Sequence, residues 1–484
     1  MARSVKTNYI FNLINTLTQV LLPLITFPYA SRILLPDGIG LVNSFASIIN
    51  VIILCSSLGI PLYAIKEVAK VRDNIKNLNI VTTEILSLHG LLTLVGYVAV
   101  LILSFLVPKI HADISLFLLL SLSIVFTTIG CEWFYQAVED FKYITIRGII
   151  IRCLSIVFLF LFVKTKDDVF FYAVFTVFGV LGSNLFNFFR LRRYIKLQYI
   201  SIGELHPFKH LQGVVKIFVF YIVTSIYVQL NTVFLGFFQS DATAGFYTAA
   251  MKLNLTAITI NYSLANVMLP RLSNLLANKD MSKFEEMSQK SYNFSFALTL
   301  PMSVGLIFIS PYAMILLSGV EFAPSILVSQ IMSFTIFFIA LSNVMGIQML
   351  YPLGHMSKVI KCVTLGCLVD IIACLIFIPL FAQNGASLAY LIAEAMVTIS
   401  MFIIGRKILP IKYFEKSHLI YIFAVGIMTI VLWAESFIQI NYIIKLFIMV
   451  LSGFCVYTSI LFMAKDPITE RVKEIVKEKL NKNK

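Results

Sequence analysis

The chain has 484 residues, of which 59% are hydrophobic and only 13% are charged, and its formal net charge is +14 at pH 7. Soluble domains carry about 25% charged residues, so 24 acidic and 38 basic side chains are too few to cover a soluble protein of this length. The mean hydropathy of +0.91 agrees. The composition excludes a soluble protein and indicates an integral membrane protein.

Apolar stretches recur along the whole chain, and each is long enough to cross a ~30 Å hydrocarbon core as a helix. We therefore predict an all-α integral membrane protein with about fourteen transmembrane helices. The predicted spans are 9–33, 40–65, 82–107, 114–134, 144–163, 168–189, 214–237, 246–270, 292–317, 325–350, 359–380, 385–405, 417–435 and 440–464. The short connectors leave no room for a soluble catalytic domain.

The basic residues predict the orientation of these spans. With the N-terminus in the cytoplasm, 31 of the 38 basic residues fall in cytoplasmic segments. The outer loops then hold only four, which are Arg32, Lys109, Lys164 and Lys166. Since cytoplasmic loops are enriched in Lys and Arg, we predict that both termini are cytoplasmic.

An internal repeat links the two halves of the chain. The connector after the first span and the connector after the seventh span share spaced residues. The equivalent pairs are Asp37 and Asp241, Asn50 and Asn254, and, with one residue of slip, Gly40 and Gly245. Because six spans separate the copies, both run in the same direction, as in transporters whose halves are related by an axis along the membrane normal.

The repeat and the connectors predict five segments. They are an N-terminal six-helix lobe at 1–196, a cytoplasmic linker at 197–213, a C-terminal six-helix lobe at 214–410, two accessory helices within 411–464 and a charged cytoplasmic tail at 465–484.

Enzyme and metal motifs do not occur in the sequence. There is no Walker A or HExxH motif, and the seven cysteines show no CxxC spacing. His206 and His210 lie four residues apart in the linker, where we expect a solvated loop rather than a metal site. We predict no catalytic residue, no metal site and no cofactor.

Amide and hydroxyl side chains form stripes on the first two predicted spans. Asn12, Asn15 and Gln19 share one helical face of span one, and Asn43 and Asn50 share one face of span two. Asn254 repeats this position in span eight. Such amides either hold helices together or line a hydrated cavity that offers hydrogen bonds to sugar hydroxyls, and both alternatives stay open.

Charged residues within spans mark functional pathways by default, because burying a charge in the bilayer is costly. The candidates are Arg32, Arg147, Arg152, Lys252, Asp370 and Glu394. The cations near span ends could also snorkel to the interface. Arg152 lies deeper and favours a cationic cavity, since guanidinium binds phosphate through paired hydrogen bonds. Asp370 and Glu394 are candidates for ion coupling or for pairing with buried cations.

Several stretches resemble Wzx-type polysaccharide flippases of the multidrug/oligosaccharidyl-lipid/polysaccharide (MOP) exporter superfamily. These stretches are Pro23–Arg32, Pro36–Gly40, Glu132–Arg147, Leu269–Ser273, Gly319–Phe322, Gly346–Gln348 and Pro352–Gly354. Family members commonly carry an acidic residue at the position of Asn231, so we place this amide among the substrate-binding candidates rather than the coupling candidates.

The resemblance implies two six-helix bundles around a central cavity, plus two accessory helices. It also implies a substrate made of an oligosaccharide repeat unit on undecaprenyl pyrophosphate, moved between the leaflets of a bacterial plasma membrane. The expected partners are this lipid, membrane lipid, an H⁺ or Na⁺ counter-ion and a polysaccharide polymerase, with no nucleic acid.

The leading hypothesis is thus a flippase for O-antigen or capsule repeat units that works by alternating access and is not an enzyme. A cation-coupled multidrug exporter of the same superfamily is the second hypothesis. A membrane polysaccharide polymerase or glycosyltransferase is the third, and the short outer loops disfavour it.

Overall fold

The computed structural model describes residues 5–196, 202–470 and 473, without some of the side chains in the first, ninth and tenth helices. No strand occurs in these described ranges. The helices are α1 Val5–Ser57, α2 Ile60–Val71, α3 Ile75–Leu106, α4 Pro108–Ala112, α5 Ile114–Gly130, α6 Glu132–Ala137, α7 Phe141–Phe162, α8 Val169–Leu191, α9 Leu211–Phe238, α10 Asp241–Ala277, α11 Met281–Ser318, α12 Ser325–Asn343, α13 Met356–Gly405, α14 Lys416–Ser436 and α15 Tyr442–Met463. A π-helical turn, Val344–Leu350, extends α12.

Ten helices in the described part of the chain are long and apolar enough to cross a membrane. A helix satisfies its own backbone hydrogen bonds, which is why it can span hydrocarbon. The prediction of an all-α, multi-pass membrane protein is therefore confirmed. Parts of the linker and most of the tail at 465–484 lie outside the described residues. The count of fourteen spans and the cytoplasmic termini stay predictions.

The two longest helices are each interrupted at one residue. α1 has 53 residues, which is about 80 Å of helix and far more than one crossing needs. Leu35 breaks it with φ 61 and ψ 177, because the following Pro36 disfavours helical backbone at this position. Ala382, with φ 48 and ψ −126, interrupts the 50-residue α13 without a following proline. The two breaks lie within or next to the predicted loops near 34–39 and 381–384.

The packing of the second half shows why these helices associate in lipid. α11 and α12 face each other with small hydroxyl residues, including Ser295, Ser303, Ser310, Ser329 and Ser333, all fully buried. Small residues let helix backbones approach closely where no hydrophobic force drives association. Large apolar side chains lie on the outside of the helices instead, which matches a lipid solvent.

The chain forms two compact units, residues 1–245 and 246–484. In the first unit α1 packs on α3, α5, α7 and α9, and α5 packs on α8. In the second, α11 packs on α12, α14 and α15, and α12 packs on α13. α9 thus packs on the first unit. The division into two six-helix lobes and two accessory helices, which is based on the internal repeat, remains a prediction.

Candidate functional site

The midpoint of α7 carries a cation inside an apolar helix. Arg152 Nη1 donates to Asn15 Oδ1 at 3.0 Å and to Thr18 Oγ1 at 2.9 Å, and both acceptors lie on α1. Gly148, one turn earlier in α7, lets α1 approach, since a Cβ there would lie 3.3 Å from Asn15 Oδ1. The structure therefore joins two of the predicted site residues, Arg152 and the buried Asn15.

The Arg152 guanidinium has donors to spare. A guanidinium carries five N–H groups, and the two hydrogen bonds to α1 both leave from Nη1. In the described part of the chain, no carboxylate forms an ion pair with Arg152. Its neutral partners position the group without cancelling its charge. The arrangement is suited to binding an anion such as a phosphate group.

The other predicted residues of the first two spans do not converge on Arg152. Gln19 and Asn50 are exposed on α1. Asn43 and Arg32 each donate to a carbonyl oxygen one turn earlier in the same helix. The side chain of Asn12 lies outside the described residues.

Arg147 has different partners from Arg152, although both lie on α7. It is buried and donates from Nη1 to Asn187 Oδ1 on α8, while Nη2 lies 3.2 Å from Glu132 Oε2 on α6. Arg190 follows on α8, and its guanidinium lies 3.9 Å from the ring centroid of Tyr143. The two predicted arginines therefore occupy separate environments.

The predicted amides Asn231 and Asn254 are buried. Asn254 Nδ2 donates to Ser329 Oγ at 3.1 Å and to Ala250 O at 3.0 Å, so this amide joins α10 to α12. Asn231 lies on α9 and is fully buried. Lys252, two residues before Asn254, is partly buried. For Asn254 the geometry matches the helix-packing alternative.

Asp370 and Glu394 are both buried in α13, on opposite sides of the break at Ala382. Cys374 Sγ lies 3.9 Å from Asp370 Oδ1. Carboxylates buried within membrane-spanning helices are typical of ion pathways, and these two lie in different halves of the interrupted α13.

An apolar cavity of about 740 Å³ lies in the second unit between α10, α11, α14 and α15. Its walls include Met302, Met428, Gly453 and Tyr457, and they are almost entirely hydrocarbon. Such a cavity accommodates an alkyl or isoprenoid chain and offers few hydrogen bonds to a sugar.

A buried ion cluster that the sequence did not predict consists of Glu84, Lys209, His210 and Tyr63, and we call it the Glu84 latch. Glu84 is 0% exposed and accepts from Lys209 Nζ at 2.6 Å and His210 Nε2 at 3.0 Å. The Tyr63 hydroxyl hydrogen-bonds His210 Nδ1 at 2.9 Å. The prediction that His210 lies in a solvated loop is therefore wrong, because this side chain is buried. Glu84 is the only acidic residue of α3, and that isolation was the available signal.

A second feature, the glycine seam, is defined as Gly40, Gly245, Lys109 and Asp241. A Cβ on Gly40 would lie 1.7 Å from Asp241 O, and one on Gly245 would lie 2.1 Å from Pro36 O, so the backbones touch. Lys109 Nζ lies 2.6 Å from Asp241 Oδ1. Gly40 and Gly245 are the equivalent glycines of the predicted repeat, so the sequence already pairs two residues that the structure brings together.

Sequence comparisons point to one group of proteins. The family model described as "Polysaccharide biosynthesis protein" matches residues 5–276. A protein of Escherichia coli (strain K12) named "Putative O-antigen transporter" is 24% identical over 426 residues, covering 84% of this chain and 98% of that protein. A protein of the same name from Shigella dysenteriae is 23% identical over 392 residues, covering 79% of this chain and 95% of that protein.

Structural comparisons show the fold. The lipid II flippase MurJ in an inward closed conformation superposes with a TM-score of 0.71 at 18% identity, covering 95% of this chain and all of that one. An inward-facing multidrug resistance MATE family transporter of the MOP superfamily superposes with a TM-score of 0.63 at 16% identity, covering 84% of this chain and 95% of that one. These relatives are transporters and flippases rather than enzymes.

Proposed function

Because the chain belongs to the polysaccharide biosynthesis protein family, the family of Wzx-type flippases, we propose that it translocates lipid-linked oligosaccharide repeat units for a surface polysaccharide such as O-antigen or capsule. The proposed substrate is an oligosaccharide on undecaprenyl pyrophosphate. The proposed direction is from the cytoplasmic to the outer leaflet of a bacterial plasma membrane. The names of the relatives and the fold shared with a lipid II flippase support this proposal.

The Arg152 site is the observation that carries the proposal. A cation at the midpoint of an apolar helix is costly, and here it is held by Asn15 and Thr18 with donors left over. A flippase must carry a charged pyrophosphate and many hydroxyls through hydrocarbon, where each unpaired polar group costs several kcal/mol. Arg152 supplies charge and hydrogen bonds at the depth where both are needed.

We assign the remaining polar side chains to the sugar. In this proposal Asn12, Gln19, Asn43 and Asn50 on α1 offer hydrogen bonds to hydroxyl groups as the substrate passes. Further candidates are Arg32, Asn231, Lys252 and Asn254. The isoprenoid tail needs only an apolar environment, in surrounding lipid or along the hydrocarbon cavity of the second unit.

Alternating access is the proposed mechanism, with both termini in the cytoplasm. Residues predicted for one side of the membrane meet in the structure: Lys109 contacts Asp241 in the glycine seam, and Lys209 contacts Glu84 in the latch. This grouping agrees with the predicted order of the crossings, and the orientation itself rests on the distribution of basic residues. In this mechanism the seam separates to release substrate outward. A polysaccharide polymerase is the partner expected to consume the translocated units.

Asp370 and Glu394 support a second candidate function. Two buried carboxylates in α13 suit coupling to H⁺ or Na⁺, and they also suit a multidrug exporter that binds organic cations. The fold is shared with a MATE family transporter, and fold alone does not choose the substrate.

The deciding experiment uses a strain that lacks this gene and is complemented with variants. We expect surface polymer to disappear and single undecaprenyl-pyrophosphate-linked repeat units to accumulate, as measured by mass spectrometry of extracted lipids. In spheroplasts a membrane-impermeant lectin should not reach these units, because they stay in the cytoplasmic leaflet. Arg152→Ala should reproduce the deletion at normal protein level, and Arg152→Lys should be intermediate, because lysine keeps the charge without the planar fork. Arg193→Ala, an exposed arginine of the same unit, is the matched control.

Two results would contradict the proposal. Repeat units that reach the outer leaflet unpolymerised would assign the chain to polymerisation. Unchanged polysaccharide in the deletion strain would remove the sugar substrate and leave drug efflux as the function to test. Normal polysaccharide in Arg152→Ala alone would remove Arg152 from the path without removing the function.

A further inference from the structure

A groove of about 440 Å³ lies between α7 and α8, apart from the contact between Arg152 and α1. One end is polar and contains Asp140, Lys142, Arg147 and Arg190. The other end is apolar and is formed mainly by Ile146, Ile150 and Phe186. A groove with one polar end and one apolar end is chemically complementary to an amphiphilic ligand.

The apolar end of the groove continues as an exposed helix face. Ile146 and Ile150 are followed on α7 by Leu154, Val157 and Leu161, and all five side chains are exposed. Their spacing of three or four residues places them on one face. An exposed face without polar residues along the spanning part of a membrane helix is suited to contact with lipid. The groove therefore opens toward acyl chains.

The charges at the polar end leave an excess of one positive charge. Arg190 pairs with Asp140 at 2.6 Å, and Arg147 pairs with Glu132 at 3.2 Å. Lys142 is exposed and has no ion pair with any described residue. A ligand with one negative charge would complete this set.

Arg190 contributes a second accessible cation at this end of the groove. Its side chain is 31% exposed and lines the groove beside Lys142, whereas Arg147 is only 7% exposed. A phosphate group offers several acceptor oxygens of the kind that arginine binds best.

We propose that this groove binds the phosphodiester headgroup of an anionic phospholipid with a single net negative charge, of the phosphatidylglycerol type. Lys142 and Arg190 bind the phosphate, and one acyl chain follows Ile146 and Ile150. The excess of one positive charge matches a phosphodiester better than a pyrophosphate, and the apolar end of the groove suits an acyl chain rather than sugar hydroxyls. The site is thus separate from the proposed substrate path.

The test measures lipid binding by the full-length protein, purified in detergent, using native mass spectrometry. Phosphatidylglycerol is compared with phosphatidylcholine of the same acyl chains. Lys142→Gln should weaken phosphatidylglycerol binding about fivefold, as expected for loss of one basic residue near an anionic lipid. Ile150→Trp should weaken binding of the acyl chain by filling the groove while keeping the face apolar. Lys407→Gln, which removes an exposed lysine of the second unit, is the control and should leave binding unchanged.

Each other outcome overturns the proposal in a specific way. Equal binding of phosphatidylglycerol by wild type, Lys142→Gln and Ile150→Trp would show that the groove holds no lipid. Equal affinity for phosphatidylcholine would show that charge has no role. Displacement of the lipid by millimolar inorganic phosphate would identify a free-phosphate site. Tighter binding of farnesyl pyrophosphate than of phosphatidylglycerol, lost in Ile150→Trp, would assign the groove to an isoprenoid pyrophosphate. None of these results depends on the sugar substrate.

Discussion

The Glu84 latch and the glycine seam are both ion-paired contacts of the first unit, but they are packed differently. In the latch, a carboxylate with no exposed surface accepts hydrogen bonds from Lys209, His210 and the His206 backbone N–H. In the seam, the side chains of Lys109 and Asp241 are 29% and 26% exposed. Glycine backbones touch there without side chains that interlock.

This difference indicates which of the two contacts costs more free energy to break. Separating Glu84 from its partners would leave a charge buried without partners, whereas the ion-paired side chains of the seam are already partly exposed. The latch fastens the end of the linker to α3, so the segment 202–210 belongs structurally to the first unit. In the proposed mechanism the seam therefore opens and closes, and the latch stays closed.

The largest effect is expected from Glu84→Gln. The variant removes the charged acceptor of the buried His210 and of the His206 backbone N–H, and each hydrogen bond to a charged group contributes about 1.5–3 kcal/mol. We expect a clear drop in the apparent melting temperature of the purified protein and in its folded yield, measured by size-exclusion chromatography. Glu139→Gln is the matched control, because Glu139 pairs with Arg72 on the surface, where a pair contributes about 0–1 kcal/mol.

Equal melting temperatures for Glu84→Gln and Glu139→Gln would remove the distinction between latch and surface pair. A large loss in Glu84→Gln that Lys209→Gln does not share would show that His210 and the His206 backbone, rather than the lysine, hold the carboxylate.

An intermediate effect is expected from Gly40→Ala. The added methyl would lie 1.7 Å from Asp241 O, so the closed seam must shift, at a cost of about 1–3 kcal/mol. This cost favours the open seam by about 5–150-fold. The measurement is maleimide labelling of Ser44→Cys in a protein whose seven native cysteines are replaced. Ser44 is buried against Gly236 beside the seam, so its labelling rate reports opening.

The control for this prediction is Gly90→Ala on α3, where an added Cβ meets no atom within 4 Å. Gly90→Ala should leave labelling of Ser44→Cys unchanged. If Gly40→Ala labels at the wild-type rate and supports normal polysaccharide, the seam is not a moving contact.

The sequence predicted the helical fold and several polar candidates within the spans, because both depend on local patterns. Hydropathy and the position of Pro36 predicted the spans and the break in α1, because both act locally. Polar residues isolated in apolar helices identified Arg152 and Asn15 as separate candidates, and their contact is seen only in the structure. The latch could not be predicted, since it depends on a linker folding back onto α3, more than 120 residues earlier. The partners of Arg147 likewise depend on how α6 and α8 pack, which periodicity does not encode.

The smallest effect is expected from Lys109→Gln. The pair with Asp241 is partly exposed, so its loss costs about 0–1 kcal/mol and should raise labelling of Ser44→Cys by at most about fivefold. Asp241→Asn should act similarly, and the double variant should add little to either single change, because both remove the same interaction. High salt should reduce the difference between wild type and Lys109→Gln, since exposed ion pairs are screened.

A fully additive double variant would show that Lys109 holds the seam through the Gly236 carbonyl, 2.5 Å away, rather than through Asp241. That result would make the seam a contact between backbones with one ammonium group across it, and its opening would then be insensitive to salt.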